Sequence, residues 1–174
     1  MKSYEKKSSF HINGHKKTIN EKSKQQETQV AKSIGGRPVI SSGSLWFSKG
    51  DSRSKEFLCE CKITSKKSYS LTFDTWNKIR KEAIKDGIRT PIMNIQLEDG
   101  KYSYAVVPYS WCQDEIKCDI KINTWRKEGK SFSITPKYFL MRIIKMYGNM
   151  VFDLVVMKWD HFEDILDARE KTNE

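Results

Sequence analysis

Asp51, Glu60 and Lys62 are the residues of this sequence whose types and spacing could carry chemistry. They lie in the stretch KGDSRSKEFLCECK, residues 49–62, and EFLCECKI, residues 56–63, alternates as a β-strand does. Side chains at i and i+2 of a strand share a face, about 6.6 Å apart along the chain. Glu60 and Lys62 are therefore neighbours, with Phe57, Cys59 and Cys61 turned to the opposite, packing face. Asp51, across the preceding turn or strand, can reach the side that carries Glu60. Two converging carboxylates suit Mg²⁺, a hard cation that takes oxygen ligands and keeps several waters. A water acidified by such an ion can attack a phosphodiester, and the compact ammonium of Lys62 can orient it or offset charge on the phosphate. An exposed hairpin with an ordinary Glu–Lys pair would give the same pattern, because 31% of the chain is charged. Context favours the chemistry. Asp51 follows Gly50 at a turn, the Glu60 strand is apolar, and the net charge is +10.

The elements that must position these residues can be read on either side of them. Residues 1 to about 18 are polar and rich in lysine and serine, which predicts a mobile basic arm. A helix is expected from about residue 19 to 34, stopped by Gly35 and Gly36. On it Glu27, Val30, Ala31 and Ile34 form one stripe, and Glu27 is its only acid. Such an acid on a buried face needs a cation to meet it. RPVIS and LWFS read as short strands before the central one, and SYSLT as another short strand or loop after it. A second helix is expected from Asp74 to about Lys85, capped by Thr72 or Asp74, facing Trp76, Ile79 and Ala83 inward and ending at Gly87. TPIMNIQL and YSYAVVPY follow as strands about a turn at Glu98–Lys101. The order helix, three strands, helix, two strands gives a mixed α/β fold. The expected division is an arm over 1–18, a core over 19–115, and a C-terminal α+β extension over 116–174.

That extension carries an echo. CECKITSKKSYSLT (59–72) resembles CDIKINTWRKEGKSFSIT (118–135), and each is expected to precede a helix, with Trp76 and Ile79 facing in on one and Phe139 and Ile143 on the other. Chance and a decayed internal duplication are both open readings.

The excess of lysine and arginine points to a polyanionic partner. Arg37 and Lys49 flank the acidic site, and Lys66 and Lys67 follow the central strand, so these four are candidate phosphate contacts. Arg80, Lys81, Lys85 and Arg89 fit phosphate contacts or a solvated surface equally well. No apolar run is long enough to span a bilayer, and the N-terminus lacks the apolar core of a secretory signal. Cys59, Cys61, Cys112 and Cys118 show no CxxC spacing and read as free thiols of a reducing cytoplasm.

A helix bearing Glu27, then GGRPVISSGS, KGD, FLCECKIT and KKSYSLTFDTW, in this order, resembles the PD-(D/E)XK nucleases over residues from about 20 to 110. More narrowly, it is similar to the phage and archaeal Holliday junction resolvase-like endonucleases. The resemblance implies a restriction-endonuclease-like core and a catalytic set of Glu27, Asp51, Glu60 and Lys62. The three acids would hold Mg²⁺, with Mn²⁺ able to substitute. Ser42, Gly43 and Ser44 are implied to lie near the scissile phosphate. It further implies a homodimer acting on DNA, with four-way junctions in recombination or repair as the substrate, in the cytoplasm of a bacterial host if a phage encodes it. Glu21, two turns before Glu27, is the alternative helix acid. Gly50 stands at the proline of the family's motif, a proline often missing in the superfamily, and residues beyond about 115 are not part of the minimal fold. Two other functions stay open, a nuclease of linear duplex in repair or restriction and a catalytically inert DNA-binding protein.

Overall fold

The computed structural model describes residues 17–39, 50–116, 123–128, 130–137, 140–147 and 150–172, with backbone only at 123–128 and 150. The arm before residue 17, the expected strand LWFS, Ser42, Gly43, Ser44, Lys49 and Cys118 lie outside the described residues.

Helix α1 (Ile19–Ser33) opens on a capping box. Thr18 Oγ1 accepts from the Glu21 N–H at 3.3 Å, and the Glu21 carboxylate accepts from the Thr18 N–H at 2.7 Å. It closes where Gly35 takes φ +62° and the N–H groups of Gly35 and Gly36 bond the carbonyls of Lys32 and Ala31, a Schellman ending. Gly36 is needed for proximity, since a Cβ there would fall 2.2 Å from the Arg53 carbonyl oxygen. That close approach seats α1 beside two short antiparallel strands, β1 (Arg37–Pro38) and β2 (Ser52–Arg53).

β2 pairs antiparallel with the central strand β3 (Phe57–Ile63). The chain then forms β4 (Tyr69–Thr72), whose last residue caps α2 (Phe73–Lys85), Thr72 Oγ1 accepting from the Thr75 N–H at 3.2 Å. α2 buries Phe73, Trp76, Ile79 and Ala83, and each large apolar side chain contributes about 1.5–3 kcal/mol. The helix is the crossover that a parallel strand pair requires, and β5 (Thr90–Leu97) returns parallel to β3. A tight turn, with Glu98, Asp99 and Gly100 all at positive φ, reverses the chain into β6 (Tyr102–Pro108).

The C-terminal third supplies α3 (Tyr109–Ile116), β7 (Asn123–Glu128), β8 (Ser131–Ile134), β9 (Leu140–Tyr147), β10 (Met150–Lys158) and α4 (Trp159–Thr172). Phe139 lies outside the described residues, and where a helix is expected around Ile143 the chain forms strand β9. Its adjacent β-branched Ile143 and Ile144 favour extended backbone, and it is paired on both sides, antiparallel to β10 and parallel to β7. The echo therefore breaks at the helix, although PIMNIQL and MVFDLVVM, also expected to correspond, both form strands, β5 and β10. Its two strings, SYSLT and SFSIT, meet as an antiparallel ribbon of β4 and β8, with Leu71 opposite Phe132.

Among the described residues one sheet of eight strands runs β1-β2-β3-β5-β6-β10-β9-β7. The fold is mixed α/β. One face packs under α1, α3 and α4 through Val30, Cys59, Cys61, Trp111 and Phe162. The other packs under α2 and the β4–β8 ribbon through Trp76, Ile79, Ile95, Phe132 and Phe152. Cys59, Cys61 and Cys112 are buried free thiols, and burial, aided by Glu115, pushes Cys112 up to about 12. Among the described residues no helix is long and apolar enough to cross a membrane.

Candidate active site

The ladder of β2 on β3 ends at Ser52 opposite Cys59, and Asp51 continues along the β3 edge. Its N–H donates to the Cys59 carbonyl at 2.9 Å, and its Oδ2 accepts from the Cys61 N–H at 2.7 Å. Asp51 thus meets β3 from the edge, not from the Glu60 face alone. Gly50 makes the entry turn at φ +71°, where a Cβ would lie 2.7 Å from the Leu58 side chain.

Cys59 and Cys61 belong to the core under α1, so alternation turns Glu60 and Lys62 toward the α2 side. Lys62 Nζ donates to Glu60 Oε1 at 2.6 Å, with side chains 38% and 14% exposed respectively. The ammonium therefore stands at the rim with the carboxylate behind it.

Glu27 approaches from α1. It is half-buried, and its carboxylate accepts from Ser23 Oγ at 3.1 Å. Ser52, fully buried, donates from Oγ to the Glu27 carbonyl at 2.8 Å. The residue after Asp51 is thereby bound to the backbone of the helix acid. Glu21 serves the helix cap at an exposed end, where Thr18 holds its carboxyl below the usual range. The structure brings Glu27, not Glu21, to Asp51.

The polar residue buried deepest on the α1 stripe is not Glu27 but Gln26, 1% exposed. Residues 26, 30 and 34 follow the helical repeat into the core, and Glu27 lies on the flank. Gln26 Nε2 donates to Asn94 Oδ1 at 2.6 Å, the Lys62 carbonyl at 3.2 Å and the Asn94 carbonyl at 3.3 Å. Its Oε1 has no hydrogen-bond partner among the described residues. One amide thus joins α1 to the ends of β3 and β5. Replacing Gln26 with methionine should cost about 1–3 kcal/mol in a denaturant titration, because Asn94 loses a buried donor; an unchanged midpoint would contradict this role.

The charges converge at Asp51. Burial first, then the negative charge of Glu60, raise its carboxyl to about 6, against the Cys61 N–H and Lys62, with Glu27 adding to the rise. Burial works against the Lys62 ammonium, but the hydrogen bond and charge of Glu60, then Asp51, outweigh it and hold its pKa above the ordinary value. Tyr69 on β4 enters the same field. Burial raises its phenol, Lys62 lowers it and Glu60 raises it.

A carboxyl whose folded pKa is raised favours folding while protonated, and that contribution fades as pH rises from its ordinary value through about 6. Asp51→Asn should therefore stabilise the metal-free protein at pH 7.5 by about 1–2 kcal/mol, allowing for solvent screening. The gain should vanish at pH 4, and a gain independent of pH in thermal melts would refute the electrostatic cause.

Three carboxylates with one ammonium form an oxygen-only donor set with surplus negative charge, which suits a hard divalent cation. Among the described residues no three Asp, Glu, His or Cys side chains already stand as a metal-holding group, so the carboxylates would have to draw together around the ion. Arg37, Lys66 and Lys67 are exposed. The Lys66 loop is tied by its carbonyl to the Glu98 N–H at 3.1 Å, and Lys22 of α1 pairs with Asp99 of the same turn at 3.1 Å. Reading the sequence missed Gln26, Ser52, Tyr69 and Asn94. An amide one residue before the acid was the only signal for the first.

Comparisons with protein-family models, with curated proteins and with solved structures find no match to this chain.

Proposed function

We propose that this protein is a divalent-metal-dependent endonuclease that hydrolyses DNA phosphodiester bonds. The observation that carries this reading is the convergence of Glu60 and Glu27 on Asp51, with Lys62 hydrogen-bonded to Glu60. Asp51 and Glu60 would hold Mg²⁺ or Mn²⁺, with Glu27 as a further oxygen donor. When bound, the ion supplies Lewis-acid activation of a water and of the phosphate.

The chain's own residues do the rest. The Cys61 N–H fixes one Asp51 oxygen and so sets the orientation of the carboxylate on the β3 edge. Glu60 holds the Lys62 ammonium at the rim, where a phosphate can take over that hydrogen bond. Lys62 then offsets the charge that builds on the phosphoryl oxygens as the water oxygen bonds to phosphorus and the bond to the leaving sugar oxygen breaks. The net charge of +10 supports a polyanionic substrate, with Arg37, Lys66 and Lys67 as phosphate contacts, and Ser42, Gly43, Ser44 and Lys49 proposed with them from the sequence. The resemblance to resolvase-like nucleases supports a homodimer on four-way junctions, in recombination or repair.

A second reading, a DNA-binding module without catalysis, draws on the lack of a preassembled ligand trio among the described residues. A labelled four-way junction and a linear duplex of matched sequence separate the two. Mg²⁺-dependent nicking, faster on the junction and absent in EDTA, is expected. Binding without nicking under any divalent ion would establish the inert module.

A further inference from the structure

The exposed faces of α2 and α4, on opposite sides of the sheet, differ in charge. On α2 the exposed residues Lys78, Lys81 and Lys85 recur at helical spacing, with exposed Arg80 beside them. The only exposed acid on that helix is Asp74, and Glu82 is half-buried. Lys78 lies 4.0 Å from Glu82, while Lys81 and Lys85 have no ion pair among the described residues. On the opposite layer α4 exposes Asp160, Asp164, Asp167 and Glu170 beside one exposed base, Lys171. Arg169 of α4 is taken up by Glu115 at 2.6 Å and Glu56 at 3.7 Å.

The α2 layer adjoins the side of the site that carries Glu60 and Lys62. α2 packs over β3 and β5 on the side to which Glu60 and Lys62 turn, and it runs back from the C-terminal end of β3. The exposed Lys66 and Lys67 stand at that end, in the loop between β3 and β4. From Lys78 to Lys85 the helix advances about 10 Å, the rise of about three phosphates along one strand of a duplex.

We propose that the α2 face, headed by Lys66 and Lys67, is the surface along which the duplex arm flanking the cleaved bond lies, with the α4 face turned away. This rests on the nuclease reading for the identity of the bond, but the surface is testable by binding alone. A duplex is favoured because a row of exposed ammonium groups at helical spacing matches a regular backbone and offers nothing to read bases.

The test is fluorescence anisotropy of a labelled duplex in EDTA, from 50 to 300 mM salt. It compares the full chain with a Lys78→Gln/Lys81→Gln/Lys85→Gln variant and an Asp164→Asn/Asp167→Asn/Glu170→Gln variant. All six positions are exposed, and circular dichroism confirms the fold of each protein. The lysine variant should lose about 2–3 from the slope of log affinity against log salt, and on the order of a hundredfold in affinity at 0.1 M. The acid variant should bind as well as the wild type or better. An unchanged slope in the lysine variant overturns the proposal even if wild type cleaves DNA. Loss of the slope in a protein that never cleaves with any divalent ion supports the surface and sinks the nuclease reading. A wild type that does not bind duplex at all overturns both.

Discussion

Glu60→Gln is expected to reduce Mg²⁺-dependent cleavage by about a hundred- to a thousandfold while leaving the fold intact. Glutamine keeps the shape and can still accept from Lys62, so the 2.6 Å contact need not be lost. What it removes is the anionic oxygen that would face the cation, and one of the charges that crowd Asp51. The loss should appear in single-turnover rate at saturating substrate, with duplex affinity in EDTA little changed, because Glu60 is not among the groups that would meet the backbone. Glu21→Ala is the matching control. Its carboxylate serves only the Thr18 capping box, so cleavage should persist with a small loss of stability. Full activity in Glu60→Gln would remove this residue from the site.

Phe162→Ala is expected to cost about 3–5 kcal/mol of stability, as large-to-small changes at buried aromatics do. Phe162 is fully buried in α4. Its ring lies 5.9 Å from Phe57, 5.3 Å from Trp111 and 4.8 Å from Trp159, centre to centre. Phe57 begins the strand that carries Glu60, so the last helix of the chain is packed on the first residue of the central strand. The C-terminal third should therefore unfold with the site and not separately from it. A single cooperative transition shifted by this amount in urea is the expected outcome. A loss under about 1 kcal/mol, or a second transition, would mean that α4 packs on the sheet only weakly.

What the sequence disclosed follows the reach of each signal. The alternation of FLCECKI separated a packing face from a chemical face, because a period of two survives wherever one face is buried. α2 was legible through Trp76, Ile79 and Ala83 and a threonine cap, all local features. β9 was not. Its partners β7 and β10 are remote pairings that decide strand over helix, and no local pattern records them. The same holds for the ribbon of β4 and β8, in which the two similar strings were visible but their pairing was not. Within the site, the residues that could touch a substrate were readable from their types. The residues that hold them were not, because Ser52 on the Glu27 carbonyl and Gln26 on Asn94 are contacts between distant backbone segments. Glu27 lies beside the buried stripe, one position from the amide that occupies it.

The proposed function requires Asp51, Glu60 and Lys62 to form a metal-dependent hydrolytic site. Its most direct test is single-turnover cleavage of an end-labelled four-way junction by the wild-type chain, in Mg²⁺ and in EDTA, beside an Asp51→Asn/Glu60→Gln double variant. The expected result is cleavage by wild type in Mg²⁺ only, with the double variant binding the junction but cutting it no faster than the EDTA control. Cleavage that survives in the double variant, or proceeds equally in EDTA, would contradict the site.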